Sequence, residues 1–144
     1  MPGGIVQIGP LVRTVTAQTI EEYEEILGIG NPLHLDSAFA QASLFKGAIA
    51  HGMMMLAYVS EMMAGAFADG WYEGGELDTT FVRPVKPGDT ITTWGTITGQ
   101  RPEQGGVTAV CEVHCENQKG EAVLKGTALA HAYQVIAGVP KLSS

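Results

Sequence analysis

The spacing of apolar residues changes period once along this chain, near Gly70. Before that point it is helical. Ile20, Tyr23 and Leu27 make one stripe in a segment opened by Thr19-Ile20-Glu21-Glu22, where Thr19 caps and Glu22 reaches back as in a capping box, and Gly28 supplies the exit. A short helical patch is predicted around Ser37 to Ala42. A long helix follows from about Ala50 to Phe67, roughly 27 Å at the α-helical rise. Met53, Met54, Met55, Leu56, Tyr58, Val59, Met62, Met63 and Phe67 make it apolar nearly all round, so protein has to wrap it on most sides.

After Gly70 the period becomes that of strands. Leu77 to Val82, Thr90 to Thr98, Val107 to Glu116 and Ala122 to Val135 are rich in Thr, Val and Ile. In the third, Val107, Ala109, Cys111, Val113 and Cys115 share one face, with Thr108, Glu112, His114 and Glu116 opposite. Turn chemistry separates the strands at Pro84 to Asp89, Arg101 to Gly106, and Asn117 to Gly120. Short turns join antiparallel neighbours, so the predicted fold is α+β: a strongly bent antiparallel sheet around one central helix. The 144 residues form one domain, 1–144, without repeat, linker or low-complexity tract.

Composition narrows the function classes. An apolar fraction of 45% against 16% charged residues suits a folded, soluble protein rather than a disordered one. A net charge of −7 with eight Lys and Arg argues against nucleic acid or an anionic membrane as partner, while leaving room for a small anion held by a few local donors. The segment Ala48 to Ala68 is the long apolar run; it carries His51, Ser60 and Glu61, which favours a buried helix over a membrane span. Met1-Pro2-Gly3-Gly4 lacks the basic and apolar regions of a signal peptide, so a cytoplasmic location is expected. Cys111 and Cys115 lie four strand residues apart, roughly 13 Å, too far for a disulfide. His114 between them points the other way, so they read as buried thiols; no metal and no cofactor are expected.

Candidate chemistry sits in two places. Asn31-Pro32-Leu33-His34 puts an imidazole on a loop stiffened by proline, and His34 can accept and return a proton near neutral pH. Gly47 to Met54 puts backbone N–H groups at the expected start of the long helix, where Gly52 lets a carbonyl oxygen approach and the dipole favours negative charge. Asn31 either positions a water or substrate oxygen beside His34 or makes an Asx turn ahead of Pro32; both are compatible.

The ordered set Asn-Pro-Leu-His, Ala-His-Gly-Met and Phe81-Val-Arg-Pro-Val-Lys-Pro-Gly-Asp89, with Gln118-Lys119-Gly120-Glu121 later, resembles the MaoC-like hot dog dehydratases over roughly residues 5–135. These are the (R)-specific enoyl-CoA hydratases and 3-hydroxyacyl-thioester dehydratases. The resemblance implies a hot dog fold and reversible addition or loss of water on an acyl-CoA or acyl-carrier thioester. It also implies a homodimer, a higher oligomer, or a heterodimer with a related hot dog chain. The family's loop reads Gly-Asp-x-Asn-Pro-x-His. Gly28, Asn31, Pro32 and His34 fall on matching positions, but Ile29 occupies that of the catalytic Asp. Gly52 matches the residue whose N–H polarises the thioester carbonyl. His34, Gly52 and Asn31 are thus the catalytic candidates.

Ile29, His51, Ser60 and Met53 are the expected substrate-binding positions. For three of them a plainer reading stands alongside. His51 would brace the loop, and Ser60 would be a satisfied helix hydroxyl. Met53, with Met55 and Met62, would be core unless it lines an adaptable acyl tunnel. The loss of Asp at position 29 keeps a second class open, a thioester-binding or scaffolding subunit paired with an active partner. An altered chemistry such as a thioesterase ranks lower, because Ala50 to Ser60 offers no carboxylate.

Overall fold

A computed structural model describes residues 6–27 and 37–143, with side chains placed for residues 6–22 and 52–143. Its elements are β1 (Val6–Thr14), α1 (Ala17–Leu27), α2 (Ser37–Phe67), α3 (Asp69–Gly74), β2 (Glu76–Phe81), β3 (Thr90–Glu103), β4 (Gly106–Glu116) and β5 (Ala122–Ala132). The strands form one antiparallel sheet in the order β1-β3-β4-β5-β2, and α2 packs against it. This is the hot dog arrangement, α+β as expected.

The alternation in β4 decides which face is inside. Val107, Ala109, Cys111, Val113 and Cys115 are all buried, while Glu112 is exposed. All but Val107 share one core with a face of α2 made of Met54, Met55, Tyr58, Val59, Met62 and Met63. Burying an unbranched side chain of methionine size stabilises the fold by roughly 1.5–3 kcal/mol. The other side of α2 is less covered than its composition suggested: Met53, Glu61, Gly65 and Ala66 are exposed.

Four expectations are corrected. The expected short patch and long helix form one 31-residue α2 beginning at Ser37, since nothing from Ser37 to Ala50 breaks a helix except Gly47, at a cost of about 1 kcal/mol. Helix α1 starts at Ala17 rather than Thr19. Its box is made by Thr16 and Thr19, whose hydroxyls accept each other's backbone N–H at 3.1 and 2.9 Å. Strand β3 runs on to Glu103, so the turn expected over Arg101 to Gly106 contracts to Gln104-Gly105, with Gly105 at φ 81°. Strand β5 stops at Ala132, short of Val135.

Two elements carried no clear pattern. Strand β1 is interrupted by Gly9-Pro10, where its register on β3 slips between Ile8 and Leu11; an edge strand tolerates this. Helix α3 packs closely on β5, Gly70 pressing against the main chain of His131 where a side chain would not fit.

Beyond Val6↔Ile97 the described part of β1 ends, and segment 136–142 takes over beside β3. Gln100, 1% exposed, donates its amide to the carbonyls of Ile136 (2.8 Å) and Val139 (2.9 Å) and accepts from the Ile136 N–H (2.8 Å). Its main chain bonds Pro140 and Leu142.

Candidate functional site

Gly52 lies in the first described turn of α2 side chains, and its lack of a side chain matters. A Cβ there would stand 3.1 Å from Cζ of Phe81, with two more ring carbons at 3.4 and 3.6 Å. The aromatic ring at the end of β2 therefore rests on helix backbone. Its other side is open, since Phe81 is 51% exposed, with Met53 and Val82 exposed nearby in the chain. One turn on, the carbonyl of Met55 lies 4.0 Å from Sγ of Cys115, and Thr93 Oγ1 lies 3.4 Å from the same sulfur. These contacts fix this turn of α2 against the ends of β4 and β2.

Because α2 begins at Ser37, Gly52 is an interior helical residue and not part of a helix N-terminus. Interior N–H groups point to the carbonyl four residues back. The expected row of free N–H donors is corrected accordingly. An amide at this position can serve a ligand oxygen only by sharing or exchanging its helical bond.

The loop residues Ile29, Asn31 and His34 lie outside the described residues, and so does the side chain of His51. Of the other candidates, Met53 is 41% exposed beside Gly52. Ser60 is two turns away, roughly 12 Å along the helix, and its Oγ accepts the indole N–H of Trp71 at 2.8 Å. Ser60 thus pins α3 to α2. Phe81 entered the sequence analysis inside a motif but not as a site residue, because a ring lying on a glycine 29 positions away leaves no local signal. Trp71, the third residue of the unforeseen α3, was missed for the same reason.

The turns beyond Phe81 are bonded to each other. Asp89 accepts the N–H of Lys86 and the amide of Gln118, both at 2.9 Å, and Gln118 in turn accepts the N–H of Thr90 at 3.0 Å. The Gln118 bond, then the Lys86 N–H, hold the Asp89 carboxyl below its ordinary value. Asn117 closes the β4–β5 turn by accepting from Lys119 and Glu121, both at 3.0 Å. Arg83 pairs with Glu121 at 3.4 Å.

Burial pushes the Cys111 thiol up to about 12 and the Cys115 thiol up to about 11, so neither is a nucleophile at neutral pH. A second polar cluster occupies the far end of the sheet. Glu103 accepts from Thr108 (2.9 Å) and bonds His131 Nδ1 (2.6 Å), which together lower its carboxyl, His131 first. Tyr133 donates to Glu73 at 2.5 Å, and that bond raises its phenol to about 12. Among the described residues no group of three or more His, Cys, Asp or Glu could hold a metal ion, and no helix is long and apolar enough to cross a membrane.

Comparison with known proteins adds a family. A model described as the MaoC like domain matches residues 8–118. An (R)-specific enoyl-CoA hydratase of Rhodospirillum rubrum is 30% identical over 124 residues, 85% of this chain and 83% of that protein. The solved (R)-hydratase of Aeromonas caviae involved in PHA biosynthesis superposes with a TM-score of 0.63 at 25% identity, covering 90% of this chain and 95% of that one. A monoamine oxidase regulatory protein from Archaeoglobus gives 0.67 at 25% identity, over 91% and 90%.

Proposed function

This chain belongs to the MaoC-like domain family, and on that premise we propose that it is a hydro-lyase adding water reversibly to an enoyl thioester of the enoyl-CoA type. The observation that supports it best is continuity. The family match extends from residue 8 to 118, a range that includes the His34 loop and the Gly52–Phe81 contact, and a relative named for this activity is similar over most of its length.

In this reading the thioester lies beside the Gly52–Phe81 contact, against the half-exposed face of the Phe81 ring. His34 takes a proton from water, the resulting hydroxide adds to Cβ, and His34 returns the proton to Cα; loss of water runs the steps backwards. Asn31 orients the water or the 3-hydroxyl. The thioester oxygen shares the Gly52 N–H with the helix, a weaker donor than a free one. Ile29 supplies no second acid–base group, so the rate is set by His34 alone.

Association with a second copy or a related chain fits the sheet. Strand β2 pairs only with β5 among the described strands, and Phe81 and Val82 at its end are exposed and apolar. The residue at position 29 supports a second reading, a thioester-binding subunit whose partner supplies the missing Asp.

Crotonyl-CoA hydration by the parent, His34→Ala and Ile29→Asp separates the two. Activity abolished by His34→Ala supports the enzyme, with a roughly 10²–10⁴-fold gain expected in Ile29→Asp. A silent parent that gains activity only in Ile29→Asp supports the binding subunit. Absence of thioester affinity in all three overturns both.

A further inference from the structure

One row of residues crosses the sheet against the turn of α2 that carries Gly52. Thr93 on β3 stands opposite Cys115 on β4, Cys115 opposite Leu124 on β5, and Leu124 opposite Phe81 on β2. The row holds the helix at two places. At the edge, the Phe81 ring rests on Gly52. Two strands further in, roughly 10 Å away, the Cys115 thiol donates to the carbonyl of Met55 at 4.0 Å. With its one proton directed there, the sulfur accepts from the Thr93 hydroxyl at 3.4 Å.

Among the described residues the buried polar side chains are Thr93 and Gln100. Gln100 holds the segment 136–142; the Thr93 hydroxyl has the sulfur. The core face of α2 is otherwise Met54, Met55, Tyr58, Val59, Met62 and Met63, four of the six being methionines. Unbranched thioether side chains repack readily, so their burial holds the helix on the sheet but sets its rotation about its own axis only loosely. A directional bond to main chain sets it. The Arg13–Glu61 pair also joins α2 to the sheet, but on the surface, where it restrains little.

We propose that Cys115 and Thr93 are positioning residues that fix how α2 is turned on the sheet, and thereby where the Gly52 N–H meets the thioester oxygen, an inference that rests on the hydratase reading above. They act through the helix and not on the substrate. The Thr93 hydroxyl holds the sulfur so that its proton faces Met55, and the Met55 carbonyl lies one turn past Gly52.

Thr93 allows volume and hydrogen bonding to be separated. Thr93→Val keeps the volume and removes the hydroxyl; Thr93→Ser removes a methyl group and keeps the hydroxyl. Crotonyl-CoA hydration is measured on the full chain for the parent, both Thr93 variants, Cys115→Ala and Cys115→Ser. Cys111→Ala, on the same buried face of β4 but in another row, is the packing control. At a temperature where every variant is folded, kcat should fall roughly ten-fold in Thr93→Val and Cys115→Ala, with KM within about two-fold of the parent. Both serine variants should stay within about three-fold in kcat. Cys111→Ala should keep the parent kcat at a lower Tm. Amide hydrogen exchange from Gly52 to Val59 reads the same bond without substrate. It should quicken roughly three- to ten-fold in Thr93→Val and Cys115→Ala and stay at the parent rate in the serine variants.

Activity that follows volume, with Thr93→Ser worse than Thr93→Val, assigns the row to packing and overturns the inference. So does an unchanged kcat in Cys115→Ala, or an equal fall in Cys111→Ala. A parent that does not hydrate crotonyl-CoA, with exchange still quickened in Thr93→Val and Cys115→Ala, overturns the hydratase reading and leaves the hold on α2 standing. Exchange that is alike in all variants overturns that hold as well.

Discussion

Replacing Gly52 with alanine sets two effects of similar size against each other. In the interior of α2 the substitution gains about 1 kcal/mol from helix propensity. The new Cβ stands 3.1 Å from the Phe81 ring, so the ring has to move by a few tenths of an ångström. Phe81 is half exposed at the end of a strand, so it yields by turning off its preferred rotamer, at about 0.5–1 kcal/mol. Gly52→Ala alone should therefore stay within about 0.5 kcal/mol of the parent, while the same change in a Phe81→Ala background shows the full gain of about 1 kcal/mol. The coupling of about 0.5–1 kcal/mol can be resolved by urea denaturation of the four proteins at constant m. Equal effects of Gly52→Ala in both backgrounds would refute the claim that the ring rests on the helix.

Two further outcomes follow from the polar contacts. Ser60→Ala leaves the half-buried indole N–H of Trp71 without its acceptor and should cost about 1–2 kcal/mol in urea, with a change in near-ultraviolet circular dichroism; a loss below about 0.3 kcal/mol would show that α3 is held by packing alone. Glu103 and Asp89 have folded pKa values below their ordinary 4.5 and 3.8, so the stability they contribute is present above those values and is lost as pH falls through the lower folded ones. Thermal midpoints should be flat from neutral pH down to about 5 and fall below about 4. The fall should be shallower in Glu103→Gln/Asp89→Asn; identical profiles would show that other carboxylates govern the acid limb.

The sheet was legible where two-sided burial writes itself into alternation. Strand β4 is the clearest case, its five inward residues readable one by one from Val107 to Cys115. Strand β1 was not, because an edge strand interrupted by Gly9-Pro10 needs only Ile8 fully buried and shows no period of two. The α2 boundary failed for another reason. Gly47 reads as a break between a short patch and a long helix, but a single glycine costs about 1 kcal/mol and does not stop a helix. Gly52 reads from the sequence as a place where either a carbonyl oxygen approaches or the helix packs closely against the sheet, and the structure sets the Phe81 ring at the end of β2 against it. Contacts of this kind, like Ser60 with Trp71 across the turn between α2 and α3, depend on folding rather than spacing.

Strand β3 is bordered on one side by residues from opposite stretches of the chain: Val6 to Thr14 along its first part, and Lys141 beside Gln100. During synthesis this border cannot be completed until residue 142 has left the ribosome, although β4 and β5 are available earlier. A chain cut short before Ile136 would keep Gln100 without its three side-chain bonds and part of β3 open to neighbouring chains.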